Sequence, residues 1–198
     1  MFLKKIFSIA FPNQRLNRSL RVLLVTNSVL VFILGLFMPF YAVFIQKIGG
    51  NIAFAGLSWG LFLIVSGVLT FWFSDMQIHI KEPELILALS YFLRGVVFAS
   101  YAFMSNWQQL VITQILWGVS AAMGNPVFDG TYAKHTSREN SISQWGSWEG
   151  FASIASGLAA LVGGVLIQSF GFVSIFFVMS VISFLLGFYI WRLPREVL

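Results

Sequence analysis

The 198-residue chain has no cysteine, which excludes disulfides, thiol redox chemistry and thiolate metal sites. Charge is nearly as scarce, with Asp, Glu, Lys and Arg making up 10% of the residues, against about a quarter in ordinary soluble domains. No Gly-x-x-x-x-Gly-Lys run occurs, so the backbone cradle for nucleotide phosphates is missing and ATP hydrolysis by this chain is not expected. Asp75 and Asp129 fall at the ends of apolar runs, and neither histidine lies inside one. The paired aspartates or Ser/His set of an intramembrane protease are therefore missing too. His79 and His135 stand 56 residues apart, so no metal site is expected, nor any cofactor or enzymatic chemistry. The net charge of +5 is modest, and no nucleic-acid partner is expected.

What fills the chain instead is apolar surface. Hydrophobic residues make up 58% of it and the mean hydropathy is +0.85, which places the protein in a lipid bilayer. A spanning helix needs about 20 residues, and six apolar runs of that order are present: residues 22–45, 53–73, 85–104, 110–127, 145–167 and 172–191. The reading is an all-α bundle of six transmembrane helices over residues 22–192, followed by a short tail at 193–198. Before it, residues 1–21 carry Lys4, Lys5, Arg15, Arg18 and Arg21 among Phe2, Ile6, Phe7 and Phe11. Pro12 ends an apolar run too short for a signal peptide, and the segment reads as an amphipathic anchor on the membrane surface.

Lys and Arg set the orientation. Lys4, Lys5, Arg15, Arg18, Arg21, Lys81, Lys134, Arg138, Arg192 and Arg195 fall on one side, and Lys47 alone on the other. Ten against one puts both termini in the cytoplasm, with the plasma membrane as the expected location. Arg94, the twelfth basic residue, lies inside the third span.

Small residues mark where helices approach. Gly60, Ser66 and Gly67 of span two recur as Gly150, Ser156 and Gly157 of span five, an offset of 90 residues throughout. Gly35 with Pro39 and Gly124 with Pro126 relate spans one and four. This predicts two three-helix repeats of inverted topology. Span five also carries Glu149, Ser153, Ser156, Ala160 and Gly163 on one helical face, and Gly118 and Gly164 add to the small-residue set expected to pack helices in lipid. Between spans four and five lies an expected polar turn holding Asp129, Lys134, Arg138 and Glu139.

The run Gln114-Ile-Leu-Trp-Gly-Val-Ser-Ala-Ala-Met-Gly-Asn-Pro126, with Ser147-Trp148-Glu149-Gly150 after it, resembles the fourth and fifth helices of the major facilitator superfamily. Gly157, Gly163-Gly164 and Phe170-Gly171-Phe172 resemble the end of that family's amino-terminal half. The resemblance implies a six-helix half of a transporter whose spans one and four line a solute cavity. It departs in the loop after span two, where the family's Gly-x-x-x-Asp-Arg pattern is met by Asp75 but by Phe71 and Met76 in place of glycine and arginine. Val111 likewise stands where the family often has arginine. Asp75, Asp129 and Arg138 remain the gating-loop candidates.

The pathway candidates are Asn27, Arg94, Gln114, Trp117, Asn125 and Glu149. A charge near the bilayer centre costs at least about 2.5–3.5 kcal/mol unless paired or hydrated, so Arg94 is either an anion or coupling-ion contact or half of a structural ion pair. Glu149 is the acid most available to it, and reads alternatively as a proton carrier or as a partner of Lys134 or Arg138. Asn27, Gln114 and Asn125 would hydrogen-bond a solute or join helices. Trp117 is the deepest tryptophan and the one placed to stack on a ligand, whereas Trp59, Trp145 and Trp148 are also placed as interfacial anchors. The expected function is secondary transport or facilitated diffusion of a small solute by alternating access, with a membrane scaffold that moves nothing as the other reading. One six-helix bundle encloses no cavity by itself in the resembled family, so the expected working unit is a homodimer or a pair with a second six-helix half, which includes a carboxy-terminal half lying beyond Leu198.

Overall fold

The computed structural model describes residues 16–77, 82–194 and 197–198. Most of the expected surface anchor, and with it Lys4, Lys5 and Arg15, lies outside these residues, as do His79, Lys81 and Arg195. The described residues are helical wherever they are regular: α1 (Arg18–Gly35), α2 (Tyr41–Lys47), α3 (Ile52–Gln77), α4 (Pro83–Ala102), α5 (Trp107–His135) and α6 (Ser141–Arg192), with short 3-10 turns at Met38–Phe40 and Arg138–Asn140. By length and composition they give five candidate membrane spans, α1 and α2 forming one of them.

The sequence states where several helices begin. Asn17 accepts a hydrogen bond from the Leu20 amide at 2.8 Å and Asn106 from the Gln109 amide at 3.1 Å, each covering a donor that the first helical turn leaves free. Pro83 opens α4, where its missing N–H costs nothing. At the far end of α5 the expected polar turn is shorter than the composition suggests. The helix runs through Pro126 to His135 and carries Asp129 and Lys134 with it. Tyr132 and Gln144 then tie the hairpin: the tyrosine hydroxyl donates to the Gln144 carbonyl at 2.7 Å, and Gln144 Oε1 accepts from the Ser137 amide at 2.9 Å.

The 52-residue α6 breaks at Gly171, whose φ of 78° and ψ of 170° are not helical. Its two arms double back on α1. A Cβ at Gly163 would lie 2.8 Å from Leu36 Cα, while the Phe176 ring sits 4.8 Å from that of Phe37. An unbroken helix would separate positions thirteen residues apart by about 20 Å. The second arm then returns toward the start of α1, where Leu186 and Tyr189 line a groove with Val22 and Thr26. Phe37, at 0% exposure, is the hub of the apolar core, in edge contact with Tyr41, Phe44, Tyr101, Phe172 and Phe176.

α3 is peripheral. Leu57, Ile64 and Phe71 are exposed at 72%, 67% and 82%, as side chains facing acyl chains would be. It is held to α5 by Phe62 on Trp117, ring centroids 4.9 Å apart. At one end of the bundle Asn17 Nδ2 donates to the His135 carbonyl, and the His135 ring bonds the Leu198 backbone oxygen at 3.0 Å. The start of α1, the end of α5 and the last residues thus share that end.

Candidate functional site

A cavity of about 370 Å³ opens among α1, α3, α4, α5 and the first arm of α6. Its polar lining is Asn27, Arg94, Asn125 and Asp129, and its aromatic lining is Trp59, Phe62, Trp117, Phe128 and Trp148. On α5 the positions 117, 121, 125 and 129 follow one another at offsets of four, one face of a helix. That face carries the ring, the amide and the carboxylate in order along the cavity.

Arg94 is the least expected occupant of such a wall, since it is only 6% exposed. Its Nη2 donates to Asn125 Oδ1 at 2.8 Å, its guanidinium lies 5.9 Å from the Tyr91 ring centroid, and its Nε has no hydrogen-bond partner. The approach depends on small residues. A Cβ at Gly124 would come within 2.8 Å of Ser90 Cβ and 3.4 Å of Arg94 Nη2, and Ser120 Oγ donates to the Ser90 carbonyl at 2.8 Å. α4 and α5 are therefore close enough for the arginine to reach across.

The structure brings Asn27, Arg94, Trp117 and Asn125 into one cavity and separates Gln114 and Glu149 from them. Gln114 is fully buried and donates to the Tyr41 hydroxyl, which itself lies 2.7 Å from Ser58 Oγ. This polar knot joins α2, α3 and α5, so of the two roles open to Gln114 in the sequence its contacts here are those of joining helices. Glu149 is exposed and is not the partner of Arg94. It is near enough to Asp129 to act on that carboxylate electrostatically, second to the partial burial of Asp129 itself.

Of the gating candidates, Asp129 lines the cavity, whereas Asp75 lies exposed near the end of α3 and Arg138 exposed in the 3-10 turn. The packing set divides as well. A Cβ at Gly118 would meet Val65 at 2.8 Å, and one at Gly164 would meet Phe40 at 3.0 Å. Gly163 and Ser156 receive α1, the Ser156 carbonyl lying 2.9 Å from a Cβ placed at Gly35. By contrast a Cβ at Gly60, Gly67 or Gly157 would meet nothing within 4 Å, Ser153 is exposed and Ser66 half-buried. Among the described residues no three His, Asp or Glu side chains gather as metal ligands would. Phe62, Phe128, Tyr91, Tyr41 and Ser58 were not singled out in the sequence. The signal for the first two was the helical register they share with Trp59 and Asn125.

A family model described as the Major Facilitator Superfamily matches residues 16–197. The chain belongs to the major facilitator superfamily. A Bacillus subtilis (strain 168) protein called an uncharacterized MFS-type transporter, YitZ, is 27% identical over 159 residues, which is 79% of this chain and 94% of the relative. Membership in the superfamily agrees with the multi-pass helical bundle and points to a transporter rather than an enzyme. It also gives the cavity a context, because transporters of this kind place their solute sites near the bilayer midplane at the interface between repeats.

Proposed function

We propose that this protein moves a small solute across the plasma membrane by alternating access, with the cavity at Arg94 as its binding site. The observation that supports this most is a buried arginine on a cavity wall. Helix packing alone would not select a residue whose charge costs at least about 2.5–3.5 kcal/mol at the bilayer centre, and Arg94 spends that cost facing open space beside aromatic rings.

In this reading the break at Gly171 divides α6 into the fifth and sixth of six spans, arranged as two inverted three-helix repeats. The excess of Lys and Arg in the loops expected on one side supports both termini lying in the cytoplasm. The working unit is a dimer, or a pair with a second six-helix half. In support, a Cβ at glycines 56, 60 and 67 of α3 or 146, 150 and 157 of α6 would meet nothing within 4 Å among the described residues, and small residues facing outward are what lets a second bundle approach closely in lipid.

The test is uptake into proteoliposomes across a broad solute screen. The expected result is flux of at least one solute class in the wild type and its loss in Arg94→Ala, with the helical content kept. If no solute moves and none raises the thermal stability of the purified protein, the transport reading is abandoned for a bundle that serves as a membrane scaffold.

A further inference from the structure

We infer that the cavity takes an organic monoanion with an apolar, ring-sized body, its charged group seated on Arg94. This names a ligand class for the same cavity and rests on the reading of that cavity as a solute site.

The charge of Arg94 is hydrogen-bonded but not neutralised. Its contacts are a neutral amide, Asn125 Oδ1 at 2.8 Å, and the face of Tyr91. Among the described residues no carboxylate pairs with it. A guanidinium carries five N–H donors and no acceptor. Here one nitrogen donates to Asn125 while Nε is buried without a partner, so the site is short of acceptors. A carboxylate supplies two acceptor oxygens and the missing negative charge together, in the fork geometry a guanidinium matches.

The remaining lining narrows the class further. Trp59, Phe62 and Trp117 stand with ring centroids 4.8 and 4.9 Å apart along one wall, and Phe128 and Trp148 pack at 5.0 Å on another. An inorganic anion would leave that surface uncovered, whereas an aryl or alkyl body would bury it. The volume of about 370 Å³ sits near the lower end of small-molecule sites, enough for one or two rings. Asp129 lines the cavity with Glu149 close enough to act on it, and this acidic wall repels a second negative charge on the ligand. Aromatic walls beside Asp129 alone would suit an organic cation, but a buried guanidinium in the same cavity opposes one.

The experiment uses the full chain in nanodiscs and reads the fluorescence of the cavity tryptophans. Four probes share one aryl body: 3-phenylpropionate, its neutral amide, the dianion phenylsuccinate, and benzyltrimethylammonium. Phenylpropionate is expected to give a saturable change, with the amide and the dianion each at least about tenfold weaker, as loss of a charge-assisted pair or one added repulsion requires. Arg94→Gln is expected to bring acid and amide within about twofold of each other. Should that variant not fold, the wild-type ranking decides alone. Equal binding of acid and amide, tighter binding of the cation, or no saturable binding of any probe overturns the inference. Proteoliposome flux from the same preparation separates the two readings. Anion preference without any flux keeps this inference and removes transport, and flux without anion preference removes this inference alone.

Discussion

At the scale of single residues the balance is set by Arg94 and Asn125. Among the described residues the Asn125 amide oxygen is the side-chain acceptor for the guanidinium, and a hydrogen bond to a charged group contributes about 1.5–3 kcal/mol. Asn125→Ala is therefore expected to lower the unfolding free energy in detergent by about 1.5 kcal/mol, measured by denaturant titration. Asn125→Asp should behave differently. It keeps an oxygen in place, adds the missing negative charge, and is expected to hold stability while removing the preference for a monoanion. A stable Asn125→Ala variant, or an Asn125→Asp variant that still prefers the acid over the amide, would remove the electrostatic account of this pair.

Much of the cavity was legible at this scale. Asn27, Arg94, Trp117 and Asn125 stand out in sequence because polar and large aromatic groups are costly or conspicuous within apolar runs. Gln114 satisfied the same criterion and lies elsewhere, bonded to Tyr41. It is three residues from Trp117, yet its partner sits on α2, an element whose return toward α5 no periodicity announces. Glu149 fails as the partner of Arg94 for a related reason. A helical pattern gives the face a residue occupies but not the rotation of that face toward a neighbour, and α6 leaves Glu149 exposed.

At the scale of elements, the break in α6 is the feature the hydropathy pattern located best. Runs at 145–167 and 172–191 imply a turn between them, and Gly171 supplies it. The turn is nevertheless nearly continuous with helix on both sides, because a single residue at φ 78° and ψ 170° redirects the chain. That conformation is essentially restricted to glycine. A Cβ at Gly171 would meet nothing within 4 Å, so the penalty for Gly171→Ala is a backbone one alone, of about 1–3 kcal/mol. The measurement is thermal unfolding followed by circular dichroism, with Gly130→Ala as the control. Gly130 lies inside α5 and is equally unobstructed, so that change should be neutral or slightly stabilising. Equal effects at the two positions would mean that the turn tolerates other backbones. The opposite error occurred in α5. Asn-Pro followed by charge reads as the end of a helix, but the helix continues to His135, so local breaking signals gave way to a hairpin held together by Tyr132 and Gln144.

At the scale of the whole molecule, composition alone settles the lipid environment and the helical class, while the association state depends on surface that only the structure sorts. Gly163 and Gly118 are occupied within the chain and Gly60, Gly67 and Gly157 are not, although the sequence treats all five alike. If a second bundle covers the free set, Gly60→Leu with Gly157→Leu should shift the protein toward monomer without changing the monomer's melting. Gly163→Leu should lower melting instead, since any Cβ there meets the backbone of Leu36 and overpacking costs about 1–3 kcal/mol. Mass determination in nanodiscs reads the first outcome. A wild type that is strictly monomeric at all concentrations, and still moves solute, would end the dimer proposal.

The closure of the second arm of α6 against α1 has a bearing on biogenesis. α1 and the adjoining Phe37 are made well before the second arm of α6, whose Phe172, Phe176 and Leu186 complete their packing and leave the ribosome some 150 residues later. Until then the face so completed rests on lipid or on the insertion machinery, because its native neighbour does not yet exist. Assembly of the core around Phe37 for that reason waits on the second arm of α6, and a ribosome stalled before residue 172 would hold a chain whose core is not yet packed.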